Sequence, residues 1–84
     1  MSKHSNAESI IATVLNEVAS AFPDDTPKNV RELLDHGEPG VALEVLYAQL
    51  IEYQIEFSPD LKSRMRTAAD LMGMSIANLD GASE

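Results

Sequence analysis

The chain has 84 residues, with 14 Asp and Glu against six Lys and Arg, no Cys and no Trp, for a formal charge of −8. That length holds one domain, near the lower end of what a single core can stabilise, and the lack of Cys excludes disulfides and thiolate metal sites. The opening MSKHSNAESIIATVL lacks the long apolar stretch and cleavage site of a signal peptide, and no apolar run reaches membrane-spanning length, so a cytoplasmic protein without membrane contact is expected.

The charge is unevenly placed. Between Glu32 and Asp60 lie seven carboxylates (Glu32, Asp35, Glu38, Glu44, Glu52, Glu56, Asp60) and no Lys or Arg. Residues 1–31 sum to −1, residues 32–60 to −7 and residues 61–84 to zero. The same third holds the densest apolar run, Val41 to Phe57. Like charges gathered around a core repel one another, and such a surface steers basic partners while repelling nucleic acid and anionic membrane. The bland alternative is that the acids simply solvate a helical domain.

Four segments repeat apolar residues at helical spacing. In the first, Ile10, Ile11, Val14, Leu15, Val18 and Phe22 form one stripe, with Ser9, Thr13, Asn16, Glu17 and Ser20 opposite. Ser5 or Asn6 is placed to cap its start, Glu8 suits the first turn, and Pro23 ends it. The second opens at Thr26-Pro27, a capping hydroxyl before a proline, and ends at His36-Gly37, with glycine as a left-handed cap.

The third runs from about Glu38-Pro39 to Tyr53. Leu43, Leu46, Tyr47, Leu50 and Ile51 make one face, and Val41, Val45 and Ala48 a second apolar strip. A helix apolar over most of its circumference is expected to be central. The fourth starts at the Ser58-Pro59 cap, carries Leu61, Met65, Ala68 and Met72 inward, and ends at Gly73. Residues 75–79 have room for one further turn, and residues 1–5 and 80–84 are expected to be disordered. Short connections and no sustained period-two alternation predict an all-α, compact single-domain bundle of four helices over residues 1–84.

Catalytic chemistry finds no foothold. There is no Cys, no Ser in a nucleophile-elbow pattern, no phosphate-binding glycine loop and no calcium-loop series. His4 lies near the N-terminus, and His36, at a helix end, complements the dipole rather than binding metal. No enzyme activity, cofactor or metal is expected. An acyl carrier role fails because no Asp-Ser dipeptide occurs to accept phosphopantetheine. Residues 66–79, RTAADLMGMSIANL, have helix-turn-helix spacing through Ala69, Gly73 and Leu79. Their second half carries no Lys or Arg, which argues against DNA binding.

The stretch RELLDHGEPGVALEVLYAQLIEY, Arg31 to Tyr53, resembles the MafI family of immunity proteins, encoded beside polymorphic or contact-dependent bacterial toxins. Leu34, His36, Gly37, Glu38, Gly40, Ala42, Leu43, Glu44 and Leu46 carry the likeness, followed by Leu50, Glu52 and Tyr53; it extends over about residues 27–74. Tyr47 departs from the family pattern, which favours a small residue there. The resemblance implies an immunity protein that binds a cognate toxin's C-terminal domain, expected to be a basic nuclease. Glu32, Asp35, Glu38, Glu44, Glu52 and Glu56 would then face its cleft, with Tyr47, Tyr53 and Phe57 as anchors. Glu38 has a second reading as a cap for the third helix, and Glu44 as a partner for Arg31 or Lys28. The alternative function is a small regulatory or DNA-associated antitoxin using the helix-turn-helix-like segment. Homo-oligomerisation stays open.

Overall fold

A computed structural model describes residues 3–74, with side chains from Asn6 onward. It contains helices α1 (Lys3–Val18), α2 (Thr26–Asp35), α3 (Pro39–Glu52) and α4 (Pro59–Leu71), with a 3₁₀ turn at Ala19–Ala21 after α1. Among the described residues there is no strand, so the architecture is all-α with four helices.

The α1 stripe is buried as its spacing requires: Ile11, Val14, Leu15 and Val18 are in the core, joined by Ala7, while Ser9, Thr13, Asn16 and Glu17 are exposed. Phe22 ends the segment in extended backbone, at φ −83° and ψ 135°, the conformation that a following proline favours. The helix begins earlier than its polar residues suggested. Ser5 and Asn6 lie inside it rather than at its cap, since no Gly or Pro upstream stops the helix from running back to Lys3.

The start of α2 is also shifted. Thr26 is its first helical residue, only 4% exposed, and Asp25 holds the cap position without a side-chain bond. Asp24 does the work instead, its Oδ1 accepting the Thr26 N–H at 3.0 Å in a local turn. At α4 the expected cap is present, with Ser58 Oγ accepting the Leu61 N–H at 3.1 Å and Pro59 following.

Helices α2, α3 and α4 all finish in the same way. A residue at positive φ follows the helix (Gly37 at 74°, Gln54 at 54°, Gly73 at 71°) and lets two amides turn back onto the last carbonyls. At α2 the Glu38 N–H reaches Leu33 O at 2.9 Å and the Gly37 N–H reaches Leu34 O at 3.1 Å. Ile55 to Leu50 and Gln54 to Ile51 repeat the pattern at α3, and Met74 to Ala69 and Gly73 to Asp70 at α4.

Helix α1 is the hub. It touches α2, α3 and α4, most broadly α4, whereas α3 packs chiefly on α2 and barely meets α4. This corrects the expectation that α3 is central. Its inward face, Ala42, Leu43, Leu46, Tyr47 and Leu50, is fully committed to the core, each large side chain contributing roughly 1.5–3 kcal/mol. Its second apolar strip is left largely outside the core, Val41 and Ala48 exposed and Val45 half-buried. Arg64 donates across the α1–α4 seam to Glu17 Oε2 at 2.7 Å and within α4 to Asp60 Oδ2 at 2.9 Å; exposed pairs of this kind add at most about 1 kcal/mol.

Candidate functional site

All seven carboxylates between Glu32 and Asp60 are exposed. Glu32 and Asp35 lie in the last turn of α2, Glu38 in the α2–α3 connection, Glu44 and Glu52 on α3, Glu56 in the α3–α4 connection, and Asp60 in the first turn of α4. Among them, Asp60 in the first turn of α4 and Glu38 at the N-cap of α3 sit where a helix dipole welcomes a negative charge. Glu32, Asp35 and Glu52 stand at the negative ends of their helices, and no described helix has a basic residue in its last turn. An acid so placed costs about 0.3–1 kcal/mol at low ionic strength. Glu32, Asp35 and Glu52 therefore do not help to hold the fold.

Two structural readings of the motif acids do not hold. Glu38 occupies the position before α3, yet its side chain makes no cap bond; only its backbone carbonyl takes part, accepting the Ala42 N–H at 2.9 Å. Arg31, offered as a partner for Glu44, donates instead to Asn16 Oδ1 at 2.6 Å and ties α2 to α1. Glu44 keeps its charge toward solvent.

The aromatic candidates separate. Tyr47 is 6% exposed and packs edge-on against Phe57, ring centroids 6.1 Å apart, so it is a core residue and not a surface anchor. Its place in the heptad-like run between Leu43 and Leu50 turns it inward. Phe57 is half-buried in the same cluster. Tyr53 is 40% exposed, but it has a structural role: its hydroxyl donates to Asp24 Oδ2 at 2.6 Å and its ring meets Phe22 edge-on at 6.3 Å. That hydroxyl, and then Thr26, hold the Asp24 carboxyl below the usual range, and the same bond raises the Tyr53 phenol above its own.

The remaining motif residues build the α2–α3 corner. Ala42, Leu43 and Leu46 are buried, Leu34 and Gly40 half-buried, and His36 is exposed at the end of α2, its backbone N–H on Glu32 O at 3.0 Å. Gly37 supplies the left-handed turn. Among the described residues no three His, Asp or Glu side chains converge on a metal-sized site, and no described helix is long and apolar enough to cross a membrane. The second half of the helix-turn-helix-like segment, the extra turn at 75–79 and the terminal stretches 1–2 and 80–84 lie outside the described residues.

What sequence reading misassigned is the outer face of α3. Ile51, grouped by its spacing with the inward Leu43, Leu46, Tyr47 and Leu50, turns outward instead and is 41% exposed; Val41 is 43% exposed, Ala48 is exposed and Val45 half-buried. With Glu44 and Glu52 these residues recur at three- and four-residue spacing and share one face. Glu44 and Glu52 are the positions by which the sequence lets this helix face water or a partner, and the face they mark is the exposed one.

The chain matches no family model, no curated protein and no solved structure.

Proposed function

We propose that this is an immunity protein, a cytoplasmic inhibitor without turnover of its own, which neutralises a toxin domain through the acidic surface of the α2–α3 hairpin. The observation that carries this reading is the run of seven exposed carboxylates without an intervening cation, three of them set against their own helix dipoles. An acidic surface that costs the fold stability is supported in this reading by a basic partner that offsets its repulsion. The partner is a basic protein domain, in line with the resemblance to MafI immunity proteins, and a nuclease cleft built for phosphates would receive such a surface. Binding there displaces or blocks nucleic acid, because carboxylates occupy the positions that phosphates would take.

The direct test is co-expression with the toxin domain encoded beside this chain's gene. Growth should be restored, and the two purified proteins should form a stable complex on size exclusion. Failure of every toxin domain from the locus to bind the purified protein would remove the immunity reading.

A further inference from the structure

A strip of apolar side chains left in water on a small, highly charged domain needs a reason. The outer face of α3 carries Val41, Val45, Ala48 and Ile51 in line; Val45 is half-buried, and the rest of the described residues leave Val41, Ala48 and Ile51 exposed, because α3 rests on α2 and α1 by its opposite face. At 14 residues the helix is about 21 Å long, enough for one helix or one ridge of a partner to lie along it. Glu44 is set into the strip one turn from Val41, and Glu52 follows Ile51 at the end of the helix.

At its N-terminal end the strip opens into a cleft of about 250 Å³. Pro39, Val41, Met72 and Met74 line it, with Gly40 at the base, where a side chain would meet the Met74 sulfur. Methionine walls are deformable, and such a cleft suits a single apolar anchor.

We propose that this face of α3 is the docking strip, and that its occupant is a cationic amphipathic helix or ridge of a partner protein, apolar at its centre and flanked by Lys or Arg. This rests on the immunity reading for the identity of the partner, but not for its chemistry. Charge complementarity selects the occupant. A second copy of the chain would bring Glu44 and Glu52 against their own counterparts, with no Lys or Arg between residues 32 and 60 to offset them. Nucleic acid and anionic lipid meet the same repulsion. The division of labour follows from the physics: the acids set the rate and direction of encounter, while desolvated Val41 and Ile51 set the residence time.

The probe is a pair of synthetic 18-residue Leu/Lys peptides of identical composition, one with its leucines on a single helical face and one scrambled. Titrated into the full-length ¹⁵N-labelled protein, the amphipathic peptide should shift the amides of Val41, Glu44, Ala48, Ile51 and Glu52. Val41→Ser with Ile51→Ser should weaken it at least about tenfold while leaving the protein folded with a cooperative melt, because both residues lie outside the core at 43% and 41% exposure. Equal binding of the scrambled peptide would reduce the surface to charge alone and overturn the strip. So would a dimer in sedimentation equilibrium that the double variant abolishes, or NOEs in the free protein from Ile76 or Leu79 to Val41, which would give the cleft to the chain itself. The same variant separates this proposal from the immunity reading. If the parent protects against its toxin and the double variant protects equally well at limiting expression, the strip fails and immunity stands. If no locus toxin is bound but the amphipathic peptide maps to α3, the strip stands and immunity fails.

Discussion

Two tyrosines six residues apart have opposite roles. Tyr47 fills the core against Phe57, so Tyr47→Ala should cost about 3 kcal/mol or more of stability, read as a lower denaturant midpoint. Tyr53 acts through its hydroxyl on Asp24. Since that bond lowers the Asp24 value, its stabilisation is present above the ordinary carboxylate range and is lost as pH falls through the folded value. Since it raises the Tyr53 value, the contribution is equally present below about pH 10 and is lost as pH climbs through the raised phenol value. Tyr53→Phe keeps the ring on Phe22 and removes only the bond. It should therefore lower the melting temperature at pH 7 and have much less effect at pH 3, with the Asp24 titration moving back toward the usual range in side-chain NMR.

At the scale of elements, the three matching helix ends allow a comparison within one molecule. A Cβ at Gly37 or Gly73 would touch nothing within 4 Å, so alanine there meets only the cost of positive φ, about 1 kcal/mol. Gln54 already bears that cost. Gln54→Gly should raise stability, by less than about 1 kcal/mol because glycine also loosens the unfolded chain, whereas Gly37→Ala should lower it; chemical denaturation of the two variants measures both signs. These ends also mark what the sequence could tell. Gly37, Gly73 and Ser58-Pro59 were legible because each boundary rests on chemistry within a few residues. Gln54 was not, because a left-handed glutamine has no local signature. The exposed strip on α3 was misread for a related reason: periodicity reports that a face is apolar, but the number of neighbours available to cover it is a property of the assembled bundle. With α1 at the centre, α3 has neighbours on one side only.

For the whole molecule, the distribution of charge sets stability against binding. Asp35→Asn and Glu52→Gln remove acids from the negative ends of α2 and α3 and should each stabilise the protein by roughly 0.3–1 kcal/mol at low salt. The same changes, with Glu32→Gln and Glu56→Gln, should slow association with a basic toxin domain. Wild-type association should fall steeply as salt rises while dissociation changes little. Stopped-flow traces across a salt series check this, and salt-independent association would sink the steering mechanism.

The central position of α1 also has a bearing on how the chain is made. Helix α1 precedes its broadest contact, α4, by the whole α2–α3 hairpin, and until α4 arrives its stripe of Ile11, Val14, Leu15 and Val18 has no complete cover. The α2–α3 hairpin needs only neighbouring sequence and closes early, since short loops cost least entropy. During synthesis the nascent chain is therefore an acidic hairpin tethered to an open apolar helix, the kind of intermediate that aggregates unless something keeps its copies apart. Like charge on the hairpins opposes their association only at close approach, within about 8 Å at physiological salt, which is the range at which two such intermediates would pair.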